Sequence, residues 1–206
     1  NADGTLVPGW PAIVPGEPFS SPVVGDIDNN GQDDIVIGLL YGSDNYPDDR
    51  YGGLYVFDRA GNIMVGWPRE SGRMFWSTPS LFDKEGDGYL EIVASQLIES
   101  ITYMFDYQGN VISGWPQYTG WNDYYSSAVG SVNQGDFGVI TTAGAGYSGG
   151  GVYGWDASGN LLPGFPKKTD RDAQAPAVIE DLDKDGNVEI VASSDLDYDF
   201  INGILK

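Results

Sequence analysis

The sequence predicts an all-β chain, a β-propeller of four four-stranded blades, and three observations carry that prediction. First, the chain repeats itself: Gly-Trp-Pro occurs at residues 9–11, 66–68 and 114–116, and Gly-Phe-Pro at 164–166. The intervals are 57, 48 and 50 residues, and from Gly164 through Lys206 and on to Gly9 is a further 51. Second, each interval holds four short runs of β-branched and aromatic residues separated by turn residues, and four strands per 40–50 residues is the signature of a propeller blade. Third, no segment sustains a 3.6-residue apolar period, so helix is expected to be nearly absent.

The elements follow the same order in each repeat. In the first, Ser21-Pro22-Val23-Val24 opens a short inner strand, and an acidic turn from Asp26 to Asp34 leads to the β-branched run Ile35-Val36-Ile37-Gly38. A loop then leads to Leu54-Tyr55-Val56-Phe57, and a turn to Ile63-Met64-Val65-Gly66-Trp67. That last turn reads Asp58-x-x-Gly61-Asn62, Asp106-x-x-Gly109-Asn110 and Asp156-x-x-Gly159-Asn160. Its Asp accepts bonds from backbone N–H groups further along, and its Gly supplies a positive φ. The blades are expected at about 20–68, 77–116, 126–166, and 174–206 plus 1–11.

The two ends complement each other. Asn1-Ala2-Asp3-Gly4-Thr5 repeats the turn before a fourth strand, and Ile204-Leu205-Lys206 aligns with Tyr55-Val56-Phe57. Three closures satisfy this pattern. The N-terminal strand, Thr5 to Trp10, completes blade 4 of its own chain and so removes free sheet edges. Or it completes blade 4 of a neighbouring chain, giving a dimer or a head-to-tail filament of copies joined by strand donation. Or the chain is part of a seven- or eight-bladed ring.

Composition excludes several functions. Thirty Asp and Glu against ten Lys and Arg leave a formal charge of −20, with no His and no Cys. No disulfide framework, thiolate zinc site or imidazole-based nucleophile pair can be built from such a chain. Its charge opposes phosphate backbones and anionic lipid surfaces, so neither nucleic acid nor membrane insertion is expected. An acidic chain does suit hard cations, which take oxygen ligands.

The acidic turns supply such ligands in register. Blade 1 offers Asp26, Asp28, Asn30 and Asp34; blade 2 offers Asp83, Glu85, Asp87 and Glu91; blade 4 offers Asp181, Asp183, Asp185 and Glu189. The pattern is D-x-[DE]-x-[DN]-G-x-x-[DE], with oxygens at positions 1, 3, 5 and 9 and a bend-permitting Gly at position 6. The position-7 carbonyls of Gln32, Tyr89 and Asn187 add another oxygen. Ca²⁺ takes 6–8 oxygens, whereas Mg²⁺ demands a strict octahedron, so three Ca²⁺ sites are expected. Blade 3 departs from the pattern: Val132-Asn133-Gln134-Gly135-Asp136-Phe137 is shorter, so a plain hairpin without Ca²⁺ is expected there.

With those loops on strand–turn–strand cores, each followed by Gly-Trp-Pro or its equivalent, the chain resembles the FG-GAP / VCBS repeat family of calcium-loop propellers. The resemblance spans nearly the whole chain. It implies a calcium-binding propeller; members serve adhesion, ligand display, and as accessory or catalytic scaffolds in some polysaccharide lyases.

The functional expectation is a secreted or cell-surface, calcium-stabilised propeller with a structural or adhesive role and no catalysis. Trp76, Trp121, Tyr124 and Tyr125 enter blades 2 and 3, where a carbohydrate or peptide ligand could stack, although ordinary packing is the favoured reading. The Asp44, Asp48, Asp49 and Asp195, Asp197, Asp199 clusters read as solvated loop charge or further cation ligands. The rival functions are a carbohydrate-binding or lyase-like domain, for which Lys167, Lys168 and Arg171 supply bases without a distinguishing spacing, and an integrin-like ligand-binding head.

Overall fold

A computed structural model describes residues 2–41, 51–70, 72–97, 99–120, 125–133, 136–144, 149–173 and 175–194. All regular structure in these residues is strand, and every strand pairing is antiparallel. No helix of the described residues is long and apolar enough to cross a membrane.

Four sheets follow one another along the chain. The first contains β1 (Glu17–Pro18), β2 (Val23–Gly25), β3 (Asp34–Tyr41), β4 (Tyr51–Phe57) and β5 (Arg69–Glu70). The second contains β6 (Ser80–Phe82), β7 (Glu91–Gln96), β8 (Ile101–Phe105) and β9 (Gln117–Tyr118). The third contains β10 (Ala128–Asn133), β11 (Asp136–Gly144), β12 (Gly150–Asp156) and β13 (Lys167–Thr169), and the fourth β14 (Val178–Glu180) paired with β15 (Glu189–Val191). Apart from β1, each strand pairs with a neighbour in sequence, as antiparallel strands joined by turns do. In sheet one the inner position is shared by β1 and β2, which both pair with β3. Between them the Ser20 hydroxyl accepts the Gly38 N–H at 2.7 Å, and in sheet two the Ser77 hydroxyl accepts that of Ser95 at 3.0 Å.

The inner strands also set the order of the sheets: β2 contacts β6, β6 contacts β10, and β10 contacts β14. The core lies between consecutive sheets. Ile27, Val36, Leu54 and Val56 meet Phe75, Ile92, Ala94 and Phe105 between sheets one and two. Val93, Met104 and Trp115 meet Val139 and Trp155 between two and three. Val132, Ile140, Val152 and Leu162 meet Ala177 and Ala192 between three and four. Successive side chains of a strand point to opposite faces, so a strand buried at every residue is covered on both sides. β7 is such a strand, and β4 is buried from Gly52 to Phe57.

The Asp-x-x-Gly-Asn turns form as the sequence predicts. Asn62 donates its backbone N–H and its Nδ2 to the two Asp58 carboxylate oxygens at 2.8 and 2.9 Å, and Asn110 and Asn160 treat Asp106 and Asp156 alike. The Asn62 bonds hold the Asp58 carboxyl below the usual carboxylate range. The strand after this turn differs from the sequence reading. It makes one bridge at Ile63, Val111 or Leu161, breaks at Gly-Trp-Pro or Gly-Phe-Pro, and resumes pairing only at β5, β9 or β13. The break turns the ring toward the next sheet: Trp67 Nε1 donates to the Tyr107 carbonyl and Trp115 Nε1 to that of Ala157, both at 3.1 Å. In sheet three Asn133 stands opposite Asp136, with a register shift between Ser131 and Asn133. Sequence-level expectations for Asp44, Asp48, Asp49, Trp121, Tyr124, Asp195, Asp197, Asp199 and the 204–206 strand lie outside the described residues.

Candidate metal centres

Each acidic loop joins the inner strand of a sheet to the next strand, and the same hydrogen bonds shape all three. The position-1 carboxylate gathers the loop: Asp26 accepts the N–H groups of Asn30 and Gly31 at 2.9 and 2.8 Å. Asp83 accepts those of Gly86, Asp87 and Gly88, and Asp181 those of Asp185 and Gly186. The position-5 oxygen turns back to the position-7 N–H, in the pairs Asn30–Gln32, Asp87–Tyr89 and Asp185–Asn187. The position-9 carboxylate accepts the position-2 N–H, Asp34 from Ile27 at 3.1 Å, Glu91 from Lys84 at 2.7 Å and Glu189 from Leu182 at 2.8 Å. Position 4 takes the left-handed conformation in every loop, at Asn29 (φ 55), Gly86 (φ 73) and Lys184 (φ 61). A lysine there is strained, so closing the loop outweighs local preference.

In two of the three loops the position-3 carboxylate comes close to those at positions 1 and 9. In sheet one, oxygens of Asp26, Asp28 and Asp34 lie within 4.8 Å of one another, and in sheet four those of Asp181, Asp183 and Glu189 do the same. Two oxygens on one Ca²⁺ can stand up to about 5 Å apart, so both sets fit a single ion. Asp28 Oδ1 and Asp34 Oδ1 are buried with no hydrogen-bond partner. An unpartnered buried carboxylate oxygen is costly, and a cation or an ordered water would relieve it. Burial, with Asp28 and Asp26 nearby, pushes the Asp34 carboxyl up to about 6. A bound divalent ion would reverse that shift.

The second loop shares the frame but not the convergence. Asp83 and Glu85 are exposed while Glu91 is buried, and Asp83, Glu85 and Glu91 form no three-carboxylate group of the kind found in sheets one and four. Lys84 stands at position 2, where the other loops carry Ile27 and Leu182, and its ammonium pairs with Glu85. Burial pushes the Glu91 carboxyl up to about 7, and Glu85 hydrogen-bonds to it. Of the position-7 residues, Gln32 and Asn187 are exposed, and Tyr89 stacks on Tyr107 with ring centroids 4.5 Å apart.

Two further residues frame the first loop without having stood out in the sequence. Asn29 Nδ2 donates to the Asp87 carbonyl at 3.3 Å, tying loop one to loop two. Arg69 reaches the Gln108 carbonyl at 3.1 Å across a cavity of about 620 Å³ that Asp28, Asn30 and Asp34 also line. The positive φ of Asn29 is compatible with the Asn enrichment of that region, but Arg69 carries no such signal. The Trp76 ring packs against that of Phe19, tilted by 41° with centroids 4.6 Å apart.

No family model matches the chain, and no curated protein is significantly similar to it. Among solved structures it is similar to the crystal structure of the V. cholerae biofilm matrix protein Bap1. The TM-score is 0.58 at 17% identity, covering 90% of this chain and 31% of that one. The likeness concerns the fold, and this chain spans about a third of that protein's length.

Proposed function

We propose that this chain is a calcium-stabilised β-propeller module of the FG-GAP / VCBS kind, acting outside the cell in a structural or adhesive role without catalysis. The observation that carries the reading is the pair of buried, unpartnered oxygens on Asp28 and Asp34, set in an all-oxygen loop whose other atoms are already fixed by backbone N–H groups. The propeller reading is supported by four sheets in sequence order whose inner strands touch in succession and whose core lies between sheets. Similarity to a biofilm matrix protein supports the extracellular, structural placement.

In sheet one the ion would be held by Asp26, Asp28 and Asp34, with Asn30 and the Gln32 carbonyl completing its oxygens. In sheet four Asp181, Asp183, Asp185, Asn187 and Glu189 would serve. Bound calcium adds charge compensation that the hydrogen bonds cannot. The loop of Asp83, Glu85, Asp87, Tyr89 and Glu91 has the ligands, but its Asp83, Glu85 and Glu91 are not gathered as in the other two loops, so this third site is the weakest.

Isothermal titration of Ca²⁺ into chelated protein tests the reading. Two stronger sites and one weaker site are expected; Asp28→Asn removes one strong site and Asp183→Asn the other. Equal heats for wild type and both variants would sink it.

A further inference from the structure

Loops one and two are joined to each other as well as to their own sheets, and two hydrogen bonds cross between them. The Leu90 N–H, at position 8 of loop two, donates to the Ile27 carbonyl, at position 2 of loop one, at 3.0 Å. Asn29 Nδ2, at position 4 of loop one, donates to the Asp87 carbonyl, at position 5 of loop two, at 3.3 Å. Packing supports both bonds. A Cβ at Gly88 would run into the Asn29 amide, so the bend glycine of loop two also makes room for Asn29. A Cβ at Gly25 would meet methyl carbons of Leu81 and Leu90 at 3.0 Å, and Ile27 is fully buried.

Each bond ends on a peptide unit that belongs to a candidate ion site. The Leu90 N–H shares its peptide with the Tyr89 carbonyl, the position-7 oxygen of loop two. The Ile27 carbonyl shares its peptide with the Asp28 N–H, and the Ile27 N–H donates to Asp34, so Ile27 lies between two carboxylates of loop one. The Asp87 carbonyl shares its peptide with the Gly88 N–H, which donates to Asp83 at 2.8 Å. Asn29 stands in the chain between Asp28 and Asn30. An ion that fixes loop one therefore fixes both groups that hold loop two, and an ion on the Tyr89 carbonyl strengthens the donor on the far side of that peptide. The two loops differ in readiness, because the carboxylates at positions 1, 3 and 9 are gathered in loop one and not in loop two.

We propose that Ca²⁺ in loop one prepares loop two: the second ion binds after the first, with an affinity raised at least about fivefold by it. The proposal rests on the calcium reading. Asn29 acts in it as a positioning residue. The first ion meets the cost of ordering Ile27 and Asn29, and the second finds its neighbours already ordered. Charge works in the opposite sense, since one cation repels another, but physiological salt screens that repulsion between exposed loops. The sheet-four loop is an internal control. Among the described residues its side-chain hydrogen bonds stay within positions 181–189, and the sheet-three turn that separates it from loop two lacks the acidic pattern.

The backbone N–H groups of Gly31, Gly88 and Gly186, one per loop, each donate to the position-1 carboxylate of their own loop and so report the three sites separately. Their ¹H–¹⁵N NMR signals are to be followed as Ca²⁺ is added to chelated protein in about 150 mM salt. In the wild type Gly88 is expected to move only once Gly31 has moved. Asp28→Asn, which empties loop one, is expected to raise the Ca²⁺ midpoint of Gly88 at least about fivefold and to leave that of Gly186 in place. Charge alone gives the reverse, because the emptied Asp28→Asn loop is more negative than the filled wild-type loop. Asn29→Gly gives loop one the residue that loop two carries as Gly86 and changes no charge. Here Gly88 is expected to shift the same way but less, since the Leu90 bond remains, with Gly31 and Gly186 unmoved. A Gly88 midpoint that is unchanged or lower in Asp28→Asn would overturn the proposal and leave the calcium reading intact. No saturable response at any of the three glycines would remove the calcium reading and this proposal with it.

Discussion

Chelating calcium is expected to lower the thermal midpoint by roughly 5–10 °C for each loop emptied. A ligand that binds only the folded state, at about a hundred times its Kd, adds about 2.7 kcal/mol. In a domain of this size each kcal/mol moves the midpoint by about 2–4 °C. The loss should be largest through the sheet-one loop, where Asp34 is 1% exposed and Asp34 and Asp28 each keep a buried oxygen without a hydrogen-bond partner. Asp28→Asn should melt lower than wild type in Ca²⁺ and lose less on adding EDTA. Differential scanning calorimetry with and without chelator reads both, and a chelator-insensitive wild type would contradict the expectation.

The second large effect is expected at Trp115. Its ring is 7% exposed, meets Trp155 edge-on at 5.9 Å, and donates to the Ala157 carbonyl, so it packs and fastens the junction of sheets two and three. Trp115→Ala removes both contributions and is expected to cost about 3–5 kcal/mol. Trp115→Phe keeps most of the packing and loses the N–H, at about 1 kcal/mol. The chain already places Phe165 at the equivalent position. Urea unfolding of the two variants separates the terms, and equal losses would show that the hydrogen bond, not the ring, dominates.

Much of this architecture is legible in the residues because the chain states it several times. A single Asp-Asn-Gly cluster is an ordinary turn, but Asp26, Asp83 and Asp181 recur at one register, and all three gather their loops as that register implies. The acidic turns at Asp58, Asp106 and Asp156 were equally readable, since each uses an Asp and an Asn side chain on local backbone. What the pattern hides is set by neighbours. Lys84 sits at a position the repeat leaves free, and only in three dimensions does its ammonium meet Glu85, in the loop whose Asp83, Glu85 and Glu91 form no three-carboxylate group. Glycine in Gly-Trp-Pro reads as a turn residue, while its tight contact with the next sheet's carbonyl depends on a partner 40–50 residues away. Arg69 likewise gains its meaning from Gln108.

The central claim, that the oxygen-lined loops hold calcium, is tested most directly by locating the ions. Crystals grown in Ca²⁺ and measured at long wavelength should show anomalous peaks between Asp26, Asp28 and Asp34 and between Asp181, Asp183 and Glu189, each about 2.3–2.6 Å from its oxygens. Loops without anomalous signal, their carboxylates bridged only by water, would contradict it.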